Sequence, residues 1–360
     1  MKKSLASIEL AAIVNELQFL VKGKISKIYD YGEKELLLQL HAQNQGKQLL
    51  RIIPGKLLNI TDKKESQMNP TGFCMQLRKY LDNASIISIS QKGGERIVVM
   101  EIEKKEKYSL IIEFFSTGNI IFTDEKNMII GSLNRQIWKD RVVKQGEKYV
   151  FPASQGNWKD ITAGQLVTIL HSSDKKNLAT SLAIELSLGG VYAEELCKCS
   201  RVNKDLLPKE VTKQQIQALL DTLTEWKKLL EKPQGYFYAS EITPFPLADQ
   251  QPLKIVPTYN EAINTLNPLQ AISPFQKKIA ALQKMIAEQE EAITAQEERV
   301  NRNRKKGELI YEHYAALSQL LRAVEELRQT KDWKAIEQEL KKEKKIKKVD
   351  LKDKQVIIDL

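Results

Sequence analysis

Apolar positions divide the chain into an alternating part, a helical part and a heptad part. Ser7 is placed to cap a first helix, with Leu10, Ile13, Val14 and Leu17 as its stripe and Gly23 as its end. Glu9 falls in the first turn, where the helix dipole favours an acid. Residues 25–31, 36–41 and 48–53 read as strands turned at Gly32-Glu33 and Asn44 to Gly46, and Pro54-Gly55 closes that meander. Pro70-Thr71-Gly72 reads as a loop that stops what precedes it, and Phe73, Leu77 and Leu81 then recur at helical spacing until Asp82-Asn83 end the helix. Strands over 86–90 and 97–102 flank a Gly93-Gly94 turn, and 108–115, 119–123 and 128–133 continue the series. Helices separate groups of strands rather than alternating with each strand. That pattern predicts an α+β fold with a mainly antiparallel sheet.

From Thr162 to about Leu230 the pattern is helical, with two helices meeting at Gly189-Gly190. Residues 233–268 are irregular and rich in proline and aromatics, and read as an ordered return onto the first domain. Ser273 as cap and Pro274 as first residue open a long helix. Ile279, Leu282, Ile286, Ile293, Val300, Ile310, Tyr314, Leu317, Leu321 and Val324 share one heptad register, a coiled-coil stripe weakened by Gln289, Gln296, Asn303 and Gly307. A helix from Trp333 runs into a basic stretch at 341–348, and 349–360 alternates like a strand. The domains expected are 1–160, 161–232, 233–270, 271–345 and the start of a small one at 346–360. A coiled coil needs a partner helix, supplied by a second chain in a homodimer or by further sequence.

The net charge of +10 and pI of about 9.2 favour an anionic partner, nucleic acid before an anionic membrane; an indifferent basic surface is the plain alternative. Three cysteines without disulfide spacing fit a reducing cytosol. No apolar run reaches the roughly 18–20 residues of a membrane span, and Glu9, Asn15 and Glu16 interrupt any signal-peptide core. His41, His171 and His313 are scattered, and Cys197-Lys198-Cys199 lacks a second ligand pair, so no metal is expected. No phosphate loop, dinucleotide motif or nucleophile elbow is present, which argues against a cofactor, a catalytic residue or an enzyme with its own covalent chemistry.

The candidate chemistry is recognition. Glu95 and Arg96 follow the double glycine, where the guanidinium can make two parallel bonds to a phosphate and the acid can accept from hydroxyls or amines. A solvated hairpin tip remains the other reading. Gly189 and Gly190 expose backbone N–H groups at a helix start, suited to a phosphate or simply to packing. Lys22, Lys24, Arg51, Arg78 and Lys79 are candidates for nucleic-acid backbone contact. Arg299, Arg302, Arg304, Lys305 and Lys306 form a basic cluster on the long helix, a solvated face or an RNA-touching arm.

The run from Pro70 to Arg96, the hairpin from Glu113 to Asp124, the segment from Gly146 to Pro152 and the hairpin from Leu188 to Glu195, in this order, resemble the NFACT family. These are NEMF-like ribosome quality-control factors, known in bacteria as fibronectin-binding protein A. The resemblance implies a glycosylase-like N-terminal domain, a helix-hairpin-helix domain and a coiled-coil arm. It also implies a cytoplasmic protein that binds the large ribosomal subunit with stalled peptidyl-tRNA and contacts rRNA. Such a protein recruits tRNA for template-free C-terminal tailing, in which the ribosome makes the bonds. The family's early Asp and its Asp-Arg pair fall on Glu9, Glu95 and Arg96, with Glu in place of both acids. Two rival functions follow from the same family, a DNA-repair glycosylase-like protein and a fibronectin-binding adhesin.

Overall fold

In the strand region the alternating pattern becomes one large antiparallel sheet. The structure is a computed structural model that describes residues 4–30, 35–64, 70–138, 141–152, 156–266, 274–340, 346–350 and 355–358. The sheet is built from β1 (Lys24–Asp30), β2 (Leu36–Ala42), β3 (Gly46–Ile53), β4 (Leu57–Ile60), β5 (Ser85–Gln91), β6 (Ile97–Glu103), β7 (Lys107–Glu113), β8 (Asn119–Asp124) and β9 (Ile129–Ser132). Their order is β4-β3-β2-β1-β5-β6-β7-β8-β9. Between β1 and β5 the ladder narrows to one aligned pair, Lys24 with Ser85, so two meanders are joined at a point. β4 was not expected. The chain turns at Pro54-Gly55 but then pairs again, Ile53 opposite Leu57 and Leu50 opposite Ile60.

β7 and β8 carry near-continuous apolar runs because both of their faces are covered. Leu110, Ile112, Ile120 and Phe122 enter the main core. Ile111 and Ile121 point the other way, into a second core with Ile97, Ile129, Val143 and Tyr149. The chain that covers this second face includes β10 (Gln136–Ile137) and β11 (Val142–Val143). Arg141 lies in it, bonded by two nitrogens to Glu113 at 2.6 and 3.2 Å and stacked 4.1 Å from the Trp138 ring centroid. Tyr149 donates to the same carboxylate at 2.8 Å.

Helices α1 (Ser7–Glu16) and α2 (Gly72–Leu81) pack on the sheet. Thr71 caps α2 by accepting from Cys74 N. Helices α3 (Ala163–Ser172), α4 (Leu178–Glu185), α5 (Gly190–Cys199) and α6 (Lys213–Leu229) follow. Thr162 and Thr212 each cap with a Gln three residues on, and Asn177 caps α4. Residues 235–266 form β12 (Gly235–Phe237), β13 (Ile242–Thr243), β14 (Lys254–Val256) and α7 (Tyr259–Asn264), which pack on α1 and β4. Glu16 accepts from Tyr259 N and Asn260 N, both at 2.7 Å, and Asn260 Oδ1 accepts from Ile60 N at 2.6 Å. All of this lies in one unit, Met1–Gln270.

The second unit spans Ala271–Leu360. It holds α8 (Pro274–Glu312), α9 (Tyr314–Thr330), α10 (Trp333–Leu340), β15 (Ile346–Asp350) and β16 (Gln355–Ile358). The rod expected to run unbroken is interrupted at His313, whose φ of −104° and ψ of 14° leave the helical range. Along it Leu282, Ile286, Ile293, Val300, Ile310, Tyr314 and Leu321 are exposed. Near its end lies a small core, Ile336 and Leu340 against Leu320, Val324 and Leu327. The Gly32-Glu33 turn, the Ser273 cap and the basic residues 341–345 lie outside the described residues. No helix among the described residues is long and apolar enough to cross a membrane.

Candidate nucleic-acid interface

The turn between β5 and β6 closes with Glu95 N on Lys92 O and Lys92 N on Ile97 O, both at 2.9 Å. Gly93 supplies the positive φ, +53°, that such a turn requires. Gly94 is needed for a different reason. A Cβ there would lie 2.6 Å from Trp158 Cδ1, so the indole packs on bare backbone. Trp158 Nε1 donates to Ser7 Oγ at 2.7 Å, and Ser7 Oγ in turn donates to the Gly94 carbonyl. Gln91 Nε2 donates to Ser7 O at 3.0 Å and to Glu95 O at 2.7 Å. The apex is thus tied to the first turn of α1. Ser7 was expected to cap that helix; Ala6 occupies the cap position, and the serine hydroxyl serves the turn instead.

Arg96 is half-buried beside this network, and its Nε has no hydrogen-bond partner among the described residues. Burial lowers the guanidinium pKa, and the charge of Glu9 opposes that shift. Glu9 is 1% exposed. Its Oε2 accepts from Ala6 N at 2.7 Å, the usual duty of a first-turn acid. Its Oε1 accepts from the Tyr192 hydroxyl, also at 2.7 Å. Burial raises the Tyr192 pKa well above its usual range, so the phenol stays a donor. Tyr192 is wedged against Trp226 and Phe245 with ring centroids 6.2 and 5.8 Å away. Glu95 is half-buried and accepts from Ser187 Oγ at 3.3 Å. Ser187 lies two residues before Gly189-Gly190, where a Cβ on either glycine would meet open space. Two candidates far apart in sequence, the Glu95–Arg96 turn and the glycine hairpin, therefore share one neighbourhood.

Residues 7–355 match the family model described as NFACT N-terminal and middle domains. The chain belongs to the NFACT family. The archaeal Rqc2 homologue aRqcH of Methanocaldococcus jannaschii is 28% identical, over 96% of this chain and 55% of its own length. Human ribosome quality control complex subunit NEMF is 26% identical, over 72% of this chain and 25% of its own. The chain thus spans about half the length of the first relative and a quarter of the second. The crystal structure of the fibrinogen binding protein from Staphylococcus aureus superposes with a TM-score of 0.59 at 20% identity, over 72% of this chain and 97% of that one. That likeness is one of fold.

In this NFACT chain the candidate cations separate by environment. Lys22, Lys24 and Lys79 are exposed. Arg78 is half-buried, with Nε donating to Ile28 O at 2.8 Å. Arg51 does not fit its expected role of an exposed cation: it is 9% exposed and ion-paired to Glu35 at 2.9 Å, so its charge is already compensated and holds β3 to the residue preceding β2. Arg299, Arg302, Arg304, Lys305 and Lys306 are all exposed in the second unit, with Arg304 donating to Glu308 one turn on. Among the described residues no group of three or more His, Cys, Asp or Glu could hold a metal ion. Burial pushes the Cys197 and Cys199 thiols up to about 11, which disfavours the thiolate a metal prefers.

Ser7, Gln91, Trp158, Ser187 and Tyr192 join this network; the sequence marked Ser7 only as a helix cap and the other four not as individual residues. Of those four, Tyr192 carried a local sign, since it stands two residues after Gly190 in the first turn of α5.

Proposed function

We propose that this chain is a ribosome quality-control factor of the cytosol that reads tRNA with the Glu95–Arg96 turn. It engages a large ribosomal subunit carrying stalled peptidyl-tRNA, recruits tRNA, and supports template-free C-terminal tailing in which the ribosome forms the bonds. The observation that carries this reading is the half-buried Arg96 with an unsatisfied Nε, in a family whose relatives are named for ribosome quality control. A buried N–H without a partner costs stability unless a ligand completes it. A phosphate or a terminal nucleotide accepts from such a fork. Glu95 accepts from a ribose hydroxyl or an aminoacyl amine. Glu9, with both oxygens engaged, acts on Arg96 through its charge. Gly189 and Gly190 hold backbone phosphate at the start of α5, and Lys22, Lys24, Arg78 and Lys79 add electrostatic contact.

Residues 1–160 then serve as the tRNA-reading domain, 161–232 as a helix-hairpin-helix domain and 233–270 as the return that packs on the first. Residues 271–345 serve as a coiled-coil arm contacting rRNA through Arg299, Arg302, Arg304, Lys305 and Lys306, and 346–360 begin a further small domain. The exposed stripe on α8 supports pairing with a further helix, in a homodimer or within a longer chain. Crosslinking and sequencing of RNA bound to the chain in cells tests the reading. Recovery of large-subunit rRNA and discrete tRNAs, with the tRNA share lost in Arg96→Ala, is expected; RNA recovered without tRNA enrichment overturns it.

A further inference from the structure

The α4–α5 hairpin gives one hydroxyl to each of the two carboxylates around Arg96. Ser187 Oγ donates to Glu95 Oε2 at 3.3 Å, and Tyr192 Oη donates to Glu9 Oε1 at 2.7 Å. The two donors straddle Gly189-Gly190, so one short element reaches both acids. Ser187 stands just past the end of α4 with φ of +56°, where helices commonly place glycine. Serine is strained there, and what it adds over glycine is the hydroxymethyl group whose oxygen meets Glu95. Tyr192 is buried among Trp226 and Phe245, so phenylalanine would fill the same space and lose only the hydroxyl.

We infer that Ser187 and Tyr192 are positioning residues for the Arg96 site, with the helical hairpin fixing both flanking acids and through them the direction of the guanidinium. The hairpin then does more than offer backbone amides to a phosphate, because it also sets the cation beside it. This inference rests on the proposed tRNA reading.

The test is a double-mutant cycle with fluorescently labelled deacylated tRNA, read by anisotropy and paired with thermal unfolding. Arg96→Ala is expected to weaken tRNA binding about tenfold or more, the size of one lost charge-assisted hydrogen bond. Ser187→Gly is expected to weaken binding about fivefold while Tm stays level or rises, since glycine relaxes the positive φ. A purely structural serine would leave affinity unchanged or improved in that variant. Tyr192→Phe is expected to weaken binding by a similar factor. In the Arg96→Ala background each added substitution is expected to change affinity less than about twofold. Wild-type affinity in Ser187→Gly and Tyr192→Phe, with Arg96→Ala weakened, overturns the inference and leaves the tRNA reading standing. Equal losses with and without Arg96 overturn it also, by making the hydroxyls structural. Wild-type binding by Arg96→Ala removes the tRNA reading, and the inference with it.

Discussion

Glu16 links the helix that carries Glu9 to the segment packed on it, and its titration is measurable. The carboxylate takes Tyr259 N and Asn260 N at 2.7 Å each, across more than two hundred residues of chain. Those bonds favour the ionised form, but burial outweighs them and raises the pKa from 4.5 to about 7. Between these values the folded chain holds a proton that the unfolded chain has released. Stability therefore falls as pH rises through that window and levels off above it. At about 1.4 kcal/mol per pH unit, the rise corresponds to a loss of about 3 kcal/mol. Glu16→Gln removes the titration and keeps one acceptor oxygen. Urea unfolding followed by tryptophan fluorescence is expected to show wild type and variant close near the acid end of the window. Wild type then falls below the variant by up to about 3 kcal/mol near pH 7.5. A gap that does not change with pH, or one in which wild type gains, would mean that the two backbone donors outweigh burial, and would refute the reasoning.

Gly94→Ala puts a methyl 2.6 Å from Trp158 Cδ1; it is expected to cost about 1–3 kcal/mol by overpacking and to weaken tRNA binding, measured by thermal unfolding and anisotropy. Arg141→Ala leaves the buried Glu113 without its cation, and urea denaturation is expected to show a loss of about 3–5 kcal/mol. If roughly six phosphates are neutralised, tRNA affinity is expected to drop about 10³-fold between about 50 and 200 mM salt. Lys24→Ala or Lys79→Ala should each lower the salt slope by about one. Arg51→Ala should leave the slope unchanged and lower stability.

The parts of the fold legible in sequence are those set by neighbours along the chain. Alternation marks β1 to β3, and glycine pairs mark both the apex and the hairpin, because antiparallel strands and tight turns are local objects. β4 escaped because Leu57, Leu58 and Asn59 are all buried and nothing alternates. Arg51 was misjudged because a basic residue reads as surface unless its partner is known, and Glu35 lies on the far side of a whole strand. The site was half legible. Glu95 and Arg96 announce themselves by following two glycines, whereas the bonds from Trp158 to Ser7 and from Tyr192 to Glu9 span 151 and 183 residues. Such pairings leave no spacing to read.

The glutamate at position 9, where the family resemblance expects aspartate, acquires a physical role from those long-range bonds. One oxygen turns back to Ala6 N while the other reaches Tyr192 on α5, so the side chain bridges a helix start and a separate helix. Aspartate is shorter by one methylene, about 1.5 Å. From the same backbone position it can keep the near bond to Ala6 or approach the phenol, but it does not span both. Glu9→Asp is therefore expected to take from the buried Tyr192 hydroxyl its carboxylate acceptor, at a cost of about 1–3 kcal/mol. It also leaves a charge beside Arg96, so tRNA binding should suffer less than in Glu9→Gln, which keeps the reach and loses the charge. Urea unfolding ranks the two by reach, with Gln the more stable; tRNA anisotropy ranks them by charge, with Asp the tighter binder. If one variant is superior in both measurements, the division of labour assigned to the two oxygens and the charge is wrong.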